Sequence, residues 1–321
     1  MVKKTSRPTA ERSSRMPVHA APSRKPLSMS PATIRLLGCL SIFTSAFFLY
    51  LSTLVIRWSE PDAVIPSSYF VFARFLIGFI VVSCVMLTRR IRLGLYRPHL
   101  LVGRAITNCI SVFCFYKAVS TTTVAEANIL NMTYPLFVGL FAWLYLKDQR
   151  DLRGTLTLGV AFAGIYMVLA PASIQGYTGN WWGLFSGIFG AAAIIYLNVS
   201  RQYHDTYTIL FFLFGLGSLG IVLLFRRHFF WPGPTEAYYL ILCGTLGVAG
   251  QYFLTLGFRY VTAVEGSVIS SARILLAAML GPILASDPSL SLSGWMGALL
   301  ILASNVYLAF RKMDRLPVRS L

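Results

Sequence analysis

Charged side chains set inside long apolar runs are the residues of this sequence most able to do chemistry. Arg273 stands about eleven residues into the run Thr262–Ala285, roughly 16 Å along a helix at 1.5 Å per residue. A side chain that deep does not snorkel easily to water. Gly266, Ser270 and Arg273 recur at helical spacing and so share one face. A guanidinium fixed there suits a carboxylate or phosphate held bidentately. Its competing use is structural: an ion pair with Glu126 or Glu265, or bonds to backbone carbonyls. Glu126 and Glu265 both fall in the first turn of their helices, where the macrodipole stabilises a carboxylate. They can cap those helices, or bind a substrate amine or protons at the two mouths of a cavity. Arg74, in the second apolar run, binds substrate or pairs with a carboxylate. Arg104, near the start of the third, is expected to snorkel to the surface. Pro135 interrupts the fourth run and frees a carbonyl near Asn131. Asn128, Asn131, Thr133 and Tyr134 bring polar groups to the same depth, where a broken helix can line a solute site. Tyr116, Gln251 and Tyr252 are further cavity candidates.

These residues need elements to hold them, and composition says which. Of 321 residues, 56% are hydrophobic and only 12% charged. A soluble domain needs about a quarter of its residues charged to cover its surface, so the missing exterior is lipid. Ten apolar runs follow one another, each long enough for a helix to cross about 30 Å of hydrocarbon. The first five are Thr33–Val55, Ser67–Leu87, His99–Val119, Val124–Leu146 and Leu152–Ala170. The second five are Trp181–Val199, Tyr207–Phe225, Ala237–Phe258, Thr262–Ala285 and Leu292–Phe310. Gly183, Gly187 and Gly190, then Gly215, Gly217 and Gly220, and Gly244, Gly247 and Gly250 recur within single runs, which permits close helix contact.

Loop cations set the orientation. With the N-terminus inside, Arg57, Lys117, Arg226 and Arg227 are the loop cations left on the opposite side. Both termini are therefore expected to be cytoplasmic. Residues 1–31 read as a disordered basic tail rich in Ser and Pro, with no cleavable signal peptide. The uncharged segment Pro171–Asn180 divides the rest almost in half. Because each half has an odd number of runs, a second copy would enter the membrane upside down. Sliding by 139 residues superposes Thr123 on Thr262, Glu126 on Glu265, Leu136 on Leu275 and Asp148 on Asp287.

Several classes are excluded. The net charge of +17 is spread over tails and short loops, unlike the single basic face of a nucleic-acid binder. Cys39, Cys84, Cys109, Cys114 and Cys243 lie inside apolar runs and read as buried free thiols. The four histidines lack metal-ligand spacing. No phosphate-cradling loop of the GxxxxGK[ST] type is present.

The stretch Tyr116–Asp148, YKAVSTTTVAEANILNMTYPLFVGLFAWLYLKD, resembles the fourth-helix signature of the EamA-type carriers of the drug/metabolite transporter superfamily. There a short turn leads through an alanine and an acidic residue into a helix containing P-L-F-V. The segment SSYFVFARFLIGFI, with Arg74, resembles that family's second helix. The chain departs from the pattern in closing its fourth and ninth runs on Asp148 and Asp287 rather than Glu. It also has Ile274 where a proline is common, with Pro282 two turns later. The resemblance implies ten helices around a central cavity between two halves. It spans carriers of amino acids, S-adenosylmethionine, vitamins and sugars.

The expectation is therefore an all-α membrane protein of ten transmembrane helices, arranged as two inverted five-helix repeats with both termini cytoplasmic. Residues 32–171 form the first repeat, 172–312 the second, and 313–321 a C-terminal tail. Its expected work is secondary transport of a small zwitterionic or anionic metabolite, an amino acid or derivative, across the cell inner membrane by alternating access. Proton coupling or exchange would drive it, and export is favoured on the resemblance. The expected partners are the small-molecule substrate and the lipid bilayer, for a monomer or homodimer with no cofactor, no metal and no nucleic acid. The expected substrate-binding set is Arg273, Glu126, Glu265, Asn128, Asn131, Tyr134, Ser270, Arg74, Tyr116 and Tyr252. The alternatives are a membrane-embedded enzyme, for which no nucleophile or acid/base set is evident, and a non-transporting scaffold.

Overall fold

In lipid no water is available to bond an exposed backbone, so an apolar chain must satisfy its own N–H and C=O groups, and helices do so within one segment. The computed structural model describes residues 31–145, 152–169, 177–261 and 263–315, and among them every regular element is helical. In chain order these are α1 (Pro31–Ser59), α2 (Ser67–Thr88), α3 (Pro98–Val119), α4 (Val124–Asn131), α5 (Tyr134–Tyr145) and α6 (Leu152–Leu169). They continue as α7 (Tyr177–Ser200), α8 (Thr206–Phe225), α9 (Pro234–Gly257), α10 (Ala263–Leu284) and α11 (Leu292–Arg315). Six of the described helical segments are long and apolar enough to cross a membrane: Thr33–Ser59, Ser67–Thr88, Pro98–Val119, Trp181–Ser200, Thr206–His228 and Pro234–Gly257. Gly159–Val168, Ile269–Leu284 and Leu292–Tyr307 are shorter apolar helical segments. The molecule is a multi-pass membrane protein.

Local signals set several helix ends. Thr123 opens α4 with a reciprocal capping box: its hydroxyl accepts from the Glu126 amide at 3.1 Å, while its own amide donates to Glu126 Oε2 at 3.4 Å. Asp205 caps α8 by accepting from the amides of Tyr207 and Thr208. Pro98 and Pro234 stand at the first turns of α3 and α9, where a missing N–H costs nothing.

The helices pack in a definite pattern. α1 lies against α9 and α10, and α7 lies against α3 and α4. α2 packs on α8 and α9, α8 also packs on α3, and α6 pairs with α11. The core falls into two clusters. One is built around Tyr50, Phe70, Phe75, Tyr116 and Phe214; the other is built around Ile129, Leu130, Leu136, Phe258 and Ile274. Large apolar side chains such as Leu36, Leu87, Leu224, Met279 and Ile283 are exposed on the outside, where a bilayer rather than water would meet them.

The predicted fourth run is broken at Met132–Thr133 into α4 and α5. Pro135 has no N–H to give to the Asn131 carbonyl, which removes one helical bond at the break. The exposed backbone is met by side chains. Leu130 O accepts from the Thr133 amide at 3.1 Å and its hydroxyl at 2.6 Å. Met132 O accepts from Asn305 Nδ2 of α11 at 3.1 Å. Gly187 of α7 lies against the break, and a Cβ there would come within 2.3 Å of Thr133 Oγ1 and 2.9 Å of Leu130 O.

Candidate functional site

Beside this break is a cavity of about 80 Å³, walled by α1, α2, α3, α4, α5, α7, α9 and α10. Its polar lining includes Ser45, Arg74, Arg104, Asn108, Ser111, Asn131, Tyr134, Gln251, Ser270 and Arg273. Six residues expected at a site or cavity therefore meet there, namely Arg74, Asn131, Tyr134, Gln251, Ser270 and Arg273. The three arginines are only 2–3% exposed, and no Asp or Glu lines the cavity among the described residues.

Each guanidinium is held differently. Arg74 donates from Nη1 to Tyr116 Oη at 3.1 Å and from Nη2 to Gln251 Oε1 at 3.3 Å. Its carbon lies 5.7 Å from the centroid of the Tyr116 ring. Gly247 of α9 leaves the room this requires, since a Cβ there would fall 2.8 Å from Arg74 Cδ. Arg273 donates to Asn131 Oδ1 and stacks 5.1 Å from the centroid of the Phe115 ring. Asn131 Nδ2 in turn donates to Ser186 Oγ at 2.9 Å, so α7 holds the acceptor in place. The buried Nε of Arg104 is unpaired, and no side chain bonds its guanidinium among the described residues. Arg74 interacts electrostatically with both Arg104 and Arg273. The Nε atoms of all three arginines and the Asn108 and Gln251 amide nitrogens are buried without hydrogen-bond partners. Buried donors are ordinarily paired, and here the unpaired ones belong to residues that line one cavity.

Other expected site residues stand elsewhere. Glu126 completes the capping box of α4 and does not line the cavity. Asn128 Nδ2 donates to Val124 O at 2.8 Å and Thr53 Oγ1 at 3.3 Å, tying α4 to α1. Tyr116 is fully buried behind Arg74, near Ser52 Oγ at 3.4 Å and Cys243 Sγ at 3.8 Å. Tyr252 packs against Tyr207 and Phe253. Glu265 is in the first turn of α10, and its side chain lies outside the described residues, as do Asp148 and Thr262.

Arg104 requires a correction: it does not snorkel to the surface but turns inward. Depth along a helix fixes how far a side chain must reach, whereas the face it occupies fixes whether it can. Arg104, Asn108 and Ser111 lie on one face of α3 at i, i+4 and i+7. That polar stripe and Ser45 add to the lining beyond the expected residues, and the spacing of the stripe is visible in the sequence. Arg74 likewise pairs with a phenol and an amide rather than with a carboxylate.

A second polar cluster ties helices together at one end of the bundle. Arg57, at the end of α1, forms ion pairs with Asp287 at 3.2 Å and Glu60 at 2.7 Å and donates to Thr122 O. Asp287, in the loop after α10, accepts from the Val124 amide at 2.6 Å and so also caps α4. Burial pushes the Asp287 carboxyl above the usual range, while the Val124 amide and Arg57 pull it back. Trp58 Nε1 donates to Leu284 O at 2.6 Å, adding a second tie between α1 and α10. No cluster of three or more potential metal ligands occurs among the described residues.

Comparison with known proteins agrees with a membrane transporter. Over 268 residues the chain is 27% identical to the pseudopaline exporter of Pseudomonas aeruginosa, covering 82% of this chain and 93% of that one. It is 23% identical to human solute carrier family 35 member G1 over 86% of this chain and 80% of that one. It is also 23% identical to a riboflavin transporter of Rhizobium johnstonii over 87% of this chain and 92% of that one. A solved crystal structure, 20% identical, matches the fold with a TM-score of 0.57 over 88% of this chain and 99% of that one. The EamA-like transporter family matches residues 36–170 and again 177–310. With nearly every described helix inside those two matches, the chain belongs to the EamA-like transporter family and is a membrane transporter, not an enzyme.

Proposed function

We propose that this protein is a secondary transporter that carries a small metabolite bearing negative charge across the cytoplasmic membrane by alternating access. The observation that carries the reading is the buried cavity at the broken fourth span, lined by three arginines and by residues with unpaired buried donors. Charged groups at membrane depth cost from about 3 kcal/mol to more than 10, and persist where they serve a solute pathway. An amino acid derivative or another small organic anion fits such a site. Export is favoured, in keeping with the similarity to a pseudopaline exporter.

Ten spans in two inverted halves give the architecture this requires. Two features support that arrangement. The family match occurs twice, over 36–170 and 177–310. The most extensive packing pairs also exchange when first-half helices are replaced by second-half counterparts: α1 on α9 becomes α7 on α3, α2 on α9 becomes α8 on α3, and α1 on α10 becomes α7 on α4. The pairs α2–α8 and α6–α11 map onto themselves. Rocking of one such half against the other around a central site is how inverted-repeat carriers alternate access. The distribution of loop cations supports cytoplasmic termini.

The test is reconstitution of the purified chain in liposomes, followed by flux of labelled organic anions, amino acids and riboflavin with and without a proton gradient. Saturable flux that collapses in Arg273→Ala, with the variant still folded and inserted, supports the reading. Flux unchanged in Arg273→Ala would sink the assignment of this cavity as the substrate site.

A further inference from the structure

The cavity carries a charge imbalance that transport alone does not explain. Three guanidinium groups enter it from α2, α3 and α10, and no Asp or Glu lines it among the described residues. Two of the neutral acceptors are already engaged: Asn131 Oδ1 receives Arg273, and Gln251 Oε1 receives Arg74. A substrate ammonium would therefore meet three like charges and, among the described residues, no carboxylate. A single carboxylate brings one charge and two oxygens, which leaves most of the positive charge uncompensated. A small frame with two or three anionic groups would neutralise it, through the charge-assisted bonds that a guanidinium fork makes best.

We propose that the cavity binds a compact polyanion carrying two or three carboxylate or phosphate groups and no ammonium, with Arg74, Arg104 and Arg273 meeting separate anionic groups. The inference rests on the transporter reading of the same cavity and replaces its zwitterionic alternative. The arginines have unequal roles. Arg74 and Arg273 are pre-oriented by protein partners. Arg104, whose Nε is unpaired, depends on the guest for compensation. Without a guest, Arg104 is a buried charge near another cation, a situation that weakens a fold. Removing the charge should therefore stabilise the empty protein while weakening binding, a combination that a merely structural arginine would not give.

The experiment measures binding and thermal unfolding of the purified full chain with acetate, succinate, citrate, 3-phosphoglycerate and leucine, alongside counterflow of the same solutes in liposomes. At least one of the polyanions succinate, citrate and 3-phosphoglycerate should bind roughly 100-fold tighter than acetate or leucine, the worth of about two added charge-assisted contacts. Succinate and citrate against 3-phosphoglycerate separates carboxylate from phosphate recognition. R104Q should weaken polyanion binding by about 10-fold to 100-fold and raise the melting temperature of the empty protein. Acetate or leucine binding as tightly as every polyanion would overturn the inference. So would R104Q melting below the parent with polyanion affinity unchanged. If R104Q does not fold, Arg104→Lys keeps the charge and loses the fork; about tenfold weaker polyanion binding supports the role, and unchanged binding overturns it. Polyanion binding without counterflow would sink the transporter reading alone. Leucine counterflow without polyanion binding would sink this inference alone.

Discussion

Gly247 matters as much to Arg74 as the residues that bond it. A methyl group there would sit 2.8 Å from Arg74 Cδ and 3.0 Å from its Nε, and the guanidinium would have to leave its bonds to Tyr116 and Gln251. Overpacking of this kind costs about 1–3 kcal/mol. Gly247→Ala is expected to fold, to melt a few degrees lower, and to lose at least tenfold in transport rate, measured by flux in liposomes against thermal unfolding in detergent. A variant that melts lower with full flux would show that Arg74 need not hold this position. Sequence alone made much of this site legible and misjudged some of it. Arg273, Ser270, Asn131, Tyr134 and Arg74 were readable because each is a polar group at membrane depth, and depth can be counted along a helix. Arg104 was misjudged because its shallow depth was weighed and its face was not. Glu126 had two physical uses at a helix start, and only the observed reciprocal bonds with Thr123 show the capping use.

At the scale of the element, the broken span is sustained by groups from its neighbours. Pro135 removes one helical bond at the break, and it was legible as a break. What receives the freed backbone was not, because Asn305 lies far away in sequence and reaches Met132 O only after α11 has packed. Asn305 Nδ2 also donates to Ser271 Oγ of α10 at 3.0 Å, so one amide joins three elements. Leaving a buried acceptor unsatisfied costs about 1–3 kcal/mol. Asn305→Leu is therefore expected to lower the melting temperature by several degrees in a thermal unfolding measurement. Pro135→Ala acts in the opposite sense on the same element. It supplies the missing N–H, so a continuous helix becomes available, at the expense of the geometry that aims Asn131 and Tyr134. Unchanged or raised thermal stability with reduced flux is the expected pair of results; lowered stability would mean that the break does not depend on the missing donor.

At the scale of the whole molecule, the cavity and the tied end must be coupled if access alternates. Arg57, Asp287, the Val124 amide and Trp58 tie the ends of α1, α4 and α10 together. The same three helices supply Ser45, Asn131 and Arg273 to the cavity wall. Opening that end would break an ion pair and strip an acceptor from the first turn of α4, so the tie favours closure. Asp287→Asn leaves an oxygen for the Val124 amide but removes the charge opposite Arg57. It should raise the hydrogen-exchange rate across residues 120–126 without unfolding the bundle, while Asp287→Ala, which lacks both functions, should raise it further. A covalent tie tests the coupling directly. In a background with the native cysteines replaced, Trp58→Cys with Leu284→Cys, joined by a short reducible thiol cross-linker, should stop transport, and reduction should restore it. Transport that continues through the cross-link would mean that this end stays shut throughout the cycle, and that the solute leaves the arginine cavity by a route that does not part α1 from α10.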